Sequence, residues 1–145
     1  MRYLLAVVAI LGGCATVEPP APVSEPGSVP IPAPPVAIEN PAIASLMDGA
    51  RADVAAGRLV NAAASLERAL RIEPRNPRLW QELARVRLKQ GDYAQAESVA
   101  ARSSSWAGGD NRLRAENWRL IAQAREARGD AAGARAALEA AERQR

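Results

Sequence analysis

Few side chains in this 145-residue sequence can carry out catalysis. The sequence has no histidine, the side chain that most often serves as a general base, and its single lysine is Lys89. The serine run 103–105 precedes Gly108 and Gly109, a composition typical of a loop rather than of a nucleophile. One cysteine without histidine can form neither a disulfide within the chain nor a Cys/His metal site. We therefore predict that the protein is not an enzyme and has no catalytic residue, no metal site and no cofactor.

The single cysteine, Cys14, follows a short apolar N-terminus. Arg2 supplies a positive charge, and the apolar run 4–11 would make about 12 Å of helix, whereas a bilayer needs about 20 residues. This pattern predicts a signal peptide over residues 1–13. One alternative is an ordinary cleavable signal in which Cys14 has no role.

The four residues Leu-Gly-Gly-Cys that end at Cys14 resemble the lipobox of bacterial lipoproteins. The resemblance implies cleavage before Cys14 and a diacylglyceryl group on its thiol, so that a lipid anchor makes the only membrane contact. Ala15 stands where lipoproteins retained in the inner membrane of enteric bacteria carry aspartate. The resemblance therefore implies an outer-membrane location facing the periplasm.

Residues 14–41 are predicted to form the lipidated cysteine and a proline-rich linker. Nine of the 27 residues from Ala15 to Pro41 are proline, and the charged residues there are three glutamates. Proline fixes φ and removes a backbone donor, so we expect a disordered tether biased to polyproline II. At about 3.1 Å per residue, its upper length is roughly 80 Å. A passive linker with no required length remains an alternative.

The remaining residues, 42–145, have alanine, leucine and arginine at helical spacing, and the pattern repeats. Gly57, Gly91 and Gly129 each precede a helix-start pattern, and they stand 34 and 38 residues apart. The four additional residues of the longer spacing are expected in the irregular stretch 103–109. Small or apolar residues hold equivalent positions relative to these glycines: Leu46, Trp80 and Trp118; Ala62, Ala96 and Ala134; Leu66, Ala100 and Leu138; Ala69, Ser103 and Ala141.

This repeat, with Pro74 closing its first copy, resembles the tetratricopeptide repeat (TPR). The resemblance implies an all-α fold, a TPR-like right-handed stack of about three helical hairpins over residues 42–145. Small residues should let paired helices approach closely, and Leu66, Trp80, Trp118 and Leu138 should fill the seams. The predicted helices are 41–56, 59–73, 77–90, 93–106, 111–128 and 131–144. Asn40, Asn76, Asp92 and Asp130 are the expected N-caps.

In TPR proteins the first helices of the hairpins line a concave groove. Carried over by register, the groove positions are Met47, Arg51, Arg78, Gln81, Arg85, Lys89, Arg119 and Gln123. Five of these eight are cationic, and arginine binds carboxylates in a bidentate way, so an acidic segment or a chain terminus is the expected ligand. Two alternatives remain open: a solvated surface without a ligand, and a contact through the outer surface or Trp106.

The layout of lipobox, proline-rich tether and small TPR domain resembles the Lpo-type outer-membrane lipoprotein activators of class A penicillin-binding proteins. The resemblance implies a non-catalytic, protein-binding lipoprotein of the cell envelope that activates a peptidoglycan synthase, with a class A penicillin-binding protein as its partner. Export to the periplasm argues against nucleic acid as a ligand. The alternative is a pilotin-like or other envelope assembly factor with TPR repeats, although such factors usually carry more repeats and less proline.

Overall fold

The computed structural model describes residues 40–145. Cys14, the predicted signal peptide and all but the last two residues of the predicted tether lie outside the described residues. The described part has no strand and consists of six helices: α1 (Pro41–Ala55), α2 (Leu59–Ile72), α3 (Pro77–Gln90), α4 (Tyr93–Trp106), α5 (Asn111–Ala127) and α6 (Ala131–Glu142). Each predicted helix end lies within two residues of the observed one. None of these six helices is both long and apolar enough to cross a bilayer.

Side-chain caps fix where most of these helices begin. The Oδ1 atoms of Asn40 and Asn76 accept hydrogen bonds of 3.0 Å from the backbone two residues ahead, and a proline fills the first helical position of α1 and of α3. Asp130 caps α6 in the same manner. The predicted cap at Asp92 is wrong, because its carboxylate makes no capping bond and lies 3.7 Å from an Arg87 guanidinium nitrogen instead.

Glycines make the tight turn inside each hairpin. Gly57, Gly91 and Gly129 have φ values of 73°, 83° and 81°, in the left-handed region that costs other residues about 1–2 kcal/mol. Two contacts show that successive helices run antiparallel. The Gln90 side chain at the end of α3 donates to the Leu59 carbonyl at the start of α2, and Ser103 near the end of α4 donates to the Pro77 carbonyl.

The small residues predicted at helix crossings are buried, as expected. Two sets of equivalent positions in the three hairpins are almost without exposed surface: Ala62, Ala96 and Ala134; Ala69, Ser103 and Ala141. Small side chains here allow the helices to approach closely and to bury apolar surface along their whole length. The register deduced from the glycines is therefore confirmed.

The expectation for the large seam residues is only partly correct. Leu66 is 2% exposed, but Leu138, its equivalent on α6, is 49% exposed because no helix of the described chain packs over it. Trp80 and Trp118 are only partly buried. Trp80 lies at the edge of the stack, where its indole nitrogen donates to the Pro74 carbonyl at 2.8 Å, and the neighbouring Leu79 holds the central position.

The four additional residues of the second spacing lie in a different place from the one predicted. Helices α2 and α4 have equal length, and so do the loops 73–76 and 107–110, whereas α5 has 17 residues and α3 has 14. Trp118 keeps its distance from Gly129, so the insertion adds about one turn to the start of α5. The serine run 103–105 is helical, within the last turn of α4, rather than a loop.

Candidate partner-binding groove

Side chains from α1, α3 and the start of α5 surround a concavity of about 290 Å³. It is lined by Met47, Arg51, Arg78, Gln81, Glu82, Asp110, Arg112, Leu113 and Glu116. The structure therefore brings together four of the predicted groove residues, the first four in the chain. The other wall includes Arg112 and Leu113 from the additional turn of α5, which the sequence register did not include.

A second concavity, of about 200 Å³, adjoins the first and shares Met47, Arg51 and Glu82 with it. Its remaining lining is apolar: Ala50, Val54, Ala55, Leu66 and Val86. We call the two concavities together the groove. An apolar pocket beside a cluster of charged groups is typical of sites that hold a peptide side chain and orient the backbone around it.

The other predicted residues do not line either concavity. Lys89 and Gln123 are exposed towards the ends of their helices, and Arg119 is partly buried. Arg85 is held by two carboxylates, that of Glu116 at 3.3 Å and that of Glu82 at 3.8 Å. These four residues remain predicted partner contacts on the same three-helix face.

Charge in the first concavity is more balanced than the cationic register predicts. Arg51, Arg78 and Arg112 face Glu82, Asp110 and Glu116. The Arg51 guanidinium lies 2.9 Å from Asp48, and that of Arg112 lies 3.3 Å from Glu116. Arg78 has no carboxylate partner within residues 40–145, so it is the cation best able to bind an incoming anion.

The acidic wall was missed because only first-helix positions were carried over from the family pattern. Arg112 and Glu116 stand four residues apart, and that spacing predicts an ion pair on one helix face. This signal was present in the sequence. What the sequence did not show is that the additional turn of α5 brings the pair into the groove.

A buried polar network sets the position of α5 against α3 and α4. Asn117 is 0% exposed, and its amide nitrogen donates to the hydroxyls of Ser103 at 2.8 Å and Ser104 at 3.2 Å. Its carbonyl oxygen accepts from Gln81 at 3.1 Å, and the Ser103 hydroxyl donates to the Pro77 carbonyl at 2.7 Å. Each buried polar group thus has a partner, which a core requires.

Gln81 therefore has a structural task as well as a place in the groove wall. It is 5% exposed, and its amide nitrogen also lies 3.3 Å from the Glu116 carboxylate. A side chain so buried and so fully bonded positions its neighbours more than it contacts a ligand. Ser103, which the sequence offered as a loop residue, belongs to the same network.

Ion pairs between hairpins occupy the positions where TPR proteins carry tyrosine. Arg87 on α3 binds Glu67 on α2 at 2.6 Å, and Arg125 on α5 binds Glu97 on α4. The hydrogen-bonded Glu97 carboxylate raises the pKa of Arg125. Among the described residues, no group of His, Cys, Asp and Glu side chains could hold a metal ion.

Paired antiparallel helices that stack around a concave groove define a tetratricopeptide-repeat domain, and the tetratricopeptide-repeat family profile matches residues 53–123. The solved globular C-terminal domain of P. aeruginosa LpoP is 50% identical to this chain, with a TM-score of 0.70, and the match covers 71% of this chain and 97% of that one. The chain therefore belongs to the family of LpoP, an Lpo-type lipoprotein with TPR repeats. The predicted all-α TPR-like fold is confirmed. No curated protein matches the sequence.

Proposed function

We propose that this protein is an outer-membrane lipoprotein, anchored through Cys14 and facing the periplasm, whose TPR domain activates a class A penicillin-binding protein. The observation that carries the proposal is the 50% identity over 97% of the LpoP domain. The lipobox-like end of the N-terminal apolar run and the proline-rich stretch that follows it support the same assignment. In this assignment the domain acts by binding, and the synthase supplies the catalytic groups.

The groove is the surface we assign to the partner. Its apolar part, around Val54, Leu66 and Val86, can accept one aliphatic or aromatic side chain. Arg78 stands in the adjoining charged part without a carboxylate of its own. A partner segment with an apolar residue close to an acidic one or to a C-terminus matches this order of groups.

Stimulation of glycan polymerisation by a purified class A penicillin-binding protein tests the proposal. Addition of the lipoprotein should raise the rate, and Arg78→Glu should weaken binding by about tenfold or more, because like charges across an interface cost several kcal/mol. Arg135→Glu is the matched control, since Arg135 is exposed on α6 and has no ion pair within residues 40–145. If the protein neither binds the synthase nor raises its rate, the proposal is wrong, and a pilotin-like role becomes the better assignment.

A further inference from the structure

Two tryptophans and two arginines interleave beside the groove. The Arg75 guanidinium carbon lies 5.2 Å from the centre of the Trp106 ring, and that of Arg102 lies 4.9 Å from the centre of the Trp80 ring. Both distances are within the range of cation–π attraction. Arg102 and Trp106 are one turn apart on α4, and the Trp80 indole donates to the Pro74 carbonyl. We call these five residues the arginine–tryptophan edge.

The edge is charged and incompletely covered. Arg75 and Arg102 have no carboxylate partner within residues 40–145, and neither donates a hydrogen bond there. Their guanidinium planes are held by the indole rings, so their N–H groups are oriented before any ligand arrives. Trp106 is 41% exposed, and the carboxylate of Glu73 nearby is already bonded to Asn76. Oriented cations next to an exposed indole match an extended segment that carries carboxylates.

The edge is continuous with the groove. Residues 73–78 line a concavity of about 570 Å³, and Arg78 at its end also lines the groove. On its other side, Pro74 and Trp80 border a further concavity of about 450 Å³ with an apolar floor that includes Leu70 and Val99. Arginines at positions 78, 75 and 102 thus follow one another from the groove, around the α2–α3 loop and onto α4.

We infer that the arginine–tryptophan edge is the second half of the partner interface, and that it binds an acidic, extended segment of the partner protein. The carboxylates of this segment pair with Arg75 and Arg102, and an apolar residue of it packs on the free side of Trp106. This inference rests on the proposed function for the partner's identity, but the chemistry of the ligand follows from the edge alone. The groove then takes one residue of the partner, and the edge takes the chain that continues from it.

The indole N–H signals of the three tryptophans in an NMR spectrum test the ligand chemistry without the synthase. The sample is the full chain carrying Cys14→Ser, which lacks the predicted lipid acceptor. The probe is a synthetic peptide of alternating glutamate and proline, and a glutamine–proline peptide of equal length is its control. The Trp106 and Trp80 signals should shift with the glutamate peptide and stay in place with the glutamine peptide. Trp118, on α5, should not respond.

Substitutions separate the edge from general charge attraction. The double variant Arg75→Gln with Arg102→Gln should lose most of the shift, whereas Arg135→Gln on α6 should keep it. Unchanged Trp118 signals in each variant check that the fold persists. Absence of a shift at Trp106, an equal shift with the glutamine peptide, or an equal response in the double variant would each overturn the inference.

Synthase binding separates this inference from the proposed function. Where the wild-type protein binds the purified synthase, the edge double variant should bind it at least several-fold more weakly, and Trp106→Ala should do the same. Loss of binding in Arg78→Glu together with full binding in the edge variants would retain the proposed function and refute the edge. A peptide response at Trp106 without any synthase binding would do the reverse.

Discussion

The two halves of the helical stack are held together by different chemistry. Between α1, α2 and α3 the core consists of aliphatic side chains, with Leu66, Leu70, Leu79 and Leu83 as its largest buried members. From α4 onward alanines replace most of them, and the core of Leu120 and Ile121 is smaller. The polar network of Gln81, Ser103 and Asn117 lies at the junction between the halves.

The difference shows how a short stack can combine stability with a defined groove. Burial of leucine is strongly stabilising but not directional, so it allows small rotations of one hairpin on the next. Hydrogen bonds among buried amides and hydroxyls have strict geometry, and they leave one favourable position for α5. The additional turn of α5 carries Arg112 and Leu113 into the groove, so this is where a fixed position matters most.

The largest effect is expected from Leu66→Ala in the aliphatic half. Leu66 is 2% exposed, and its truncation should lower the free energy of unfolding by about 2–5 kcal/mol, because a cavity remains in a packed core. Leu138→Ala, at the equivalent position on α6, is the control and should cost about 0.5 kcal/mol or less. Urea unfolding measures both, and similar losses would mean that the exposure of Leu138 is not maintained in solution.

Asn117→Ala is expected to have the next largest effect, in the other half. It removes the common partner of Gln81, Ser103 and Ser104, and unsatisfied buried groups should cost about 1–3 kcal/mol. Asn61→Ala, on the exposed side of α2, controls for the loss of an asparagine from a helix and should be nearly neutral. If both variants unfold at the same urea concentration as the wild type, the polar network does not hold the junction.

The ion pairs between hairpins should give the smallest difference. Glu97 accepts from two Arg125 nitrogens and lies 3.6 Å from Arg128, whereas Glu67 binds Arg87 through one nitrogen and has the more exposed side chain. Glu97→Gln should therefore cost about 1 kcal/mol and Glu67→Gln about half of that, after allowance for solvent screening. High salt should reduce both losses. A larger loss for Glu67→Gln would reverse the order of the two halves.

The seam residues show where sequence reasoning stopped. Leu66 and Leu138 have the same type and the same register, and Trp80 holds the aromatic position of the TPR pattern. Whether each is covered depends on the helix packed next to it, which register does not specify. Of the groove, the α1 and α3 residues Met47, Arg51, Arg78 and Gln81 were predicted, and the α5 wall was not.

By itself, the sequence determined the helices and the order in which they pair. Asparagine–proline starts, turn glycines and the spacing of small residues act over a few residues, so local energetics decide them. Only the tertiary structure decided that the insertion lengthens α5, that Asn117 and Ser103 meet in the core, and that Glu116 opposes Arg85. Such contacts join residues far apart in the chain, and their geometry depends on how completely each helix buries its neighbour.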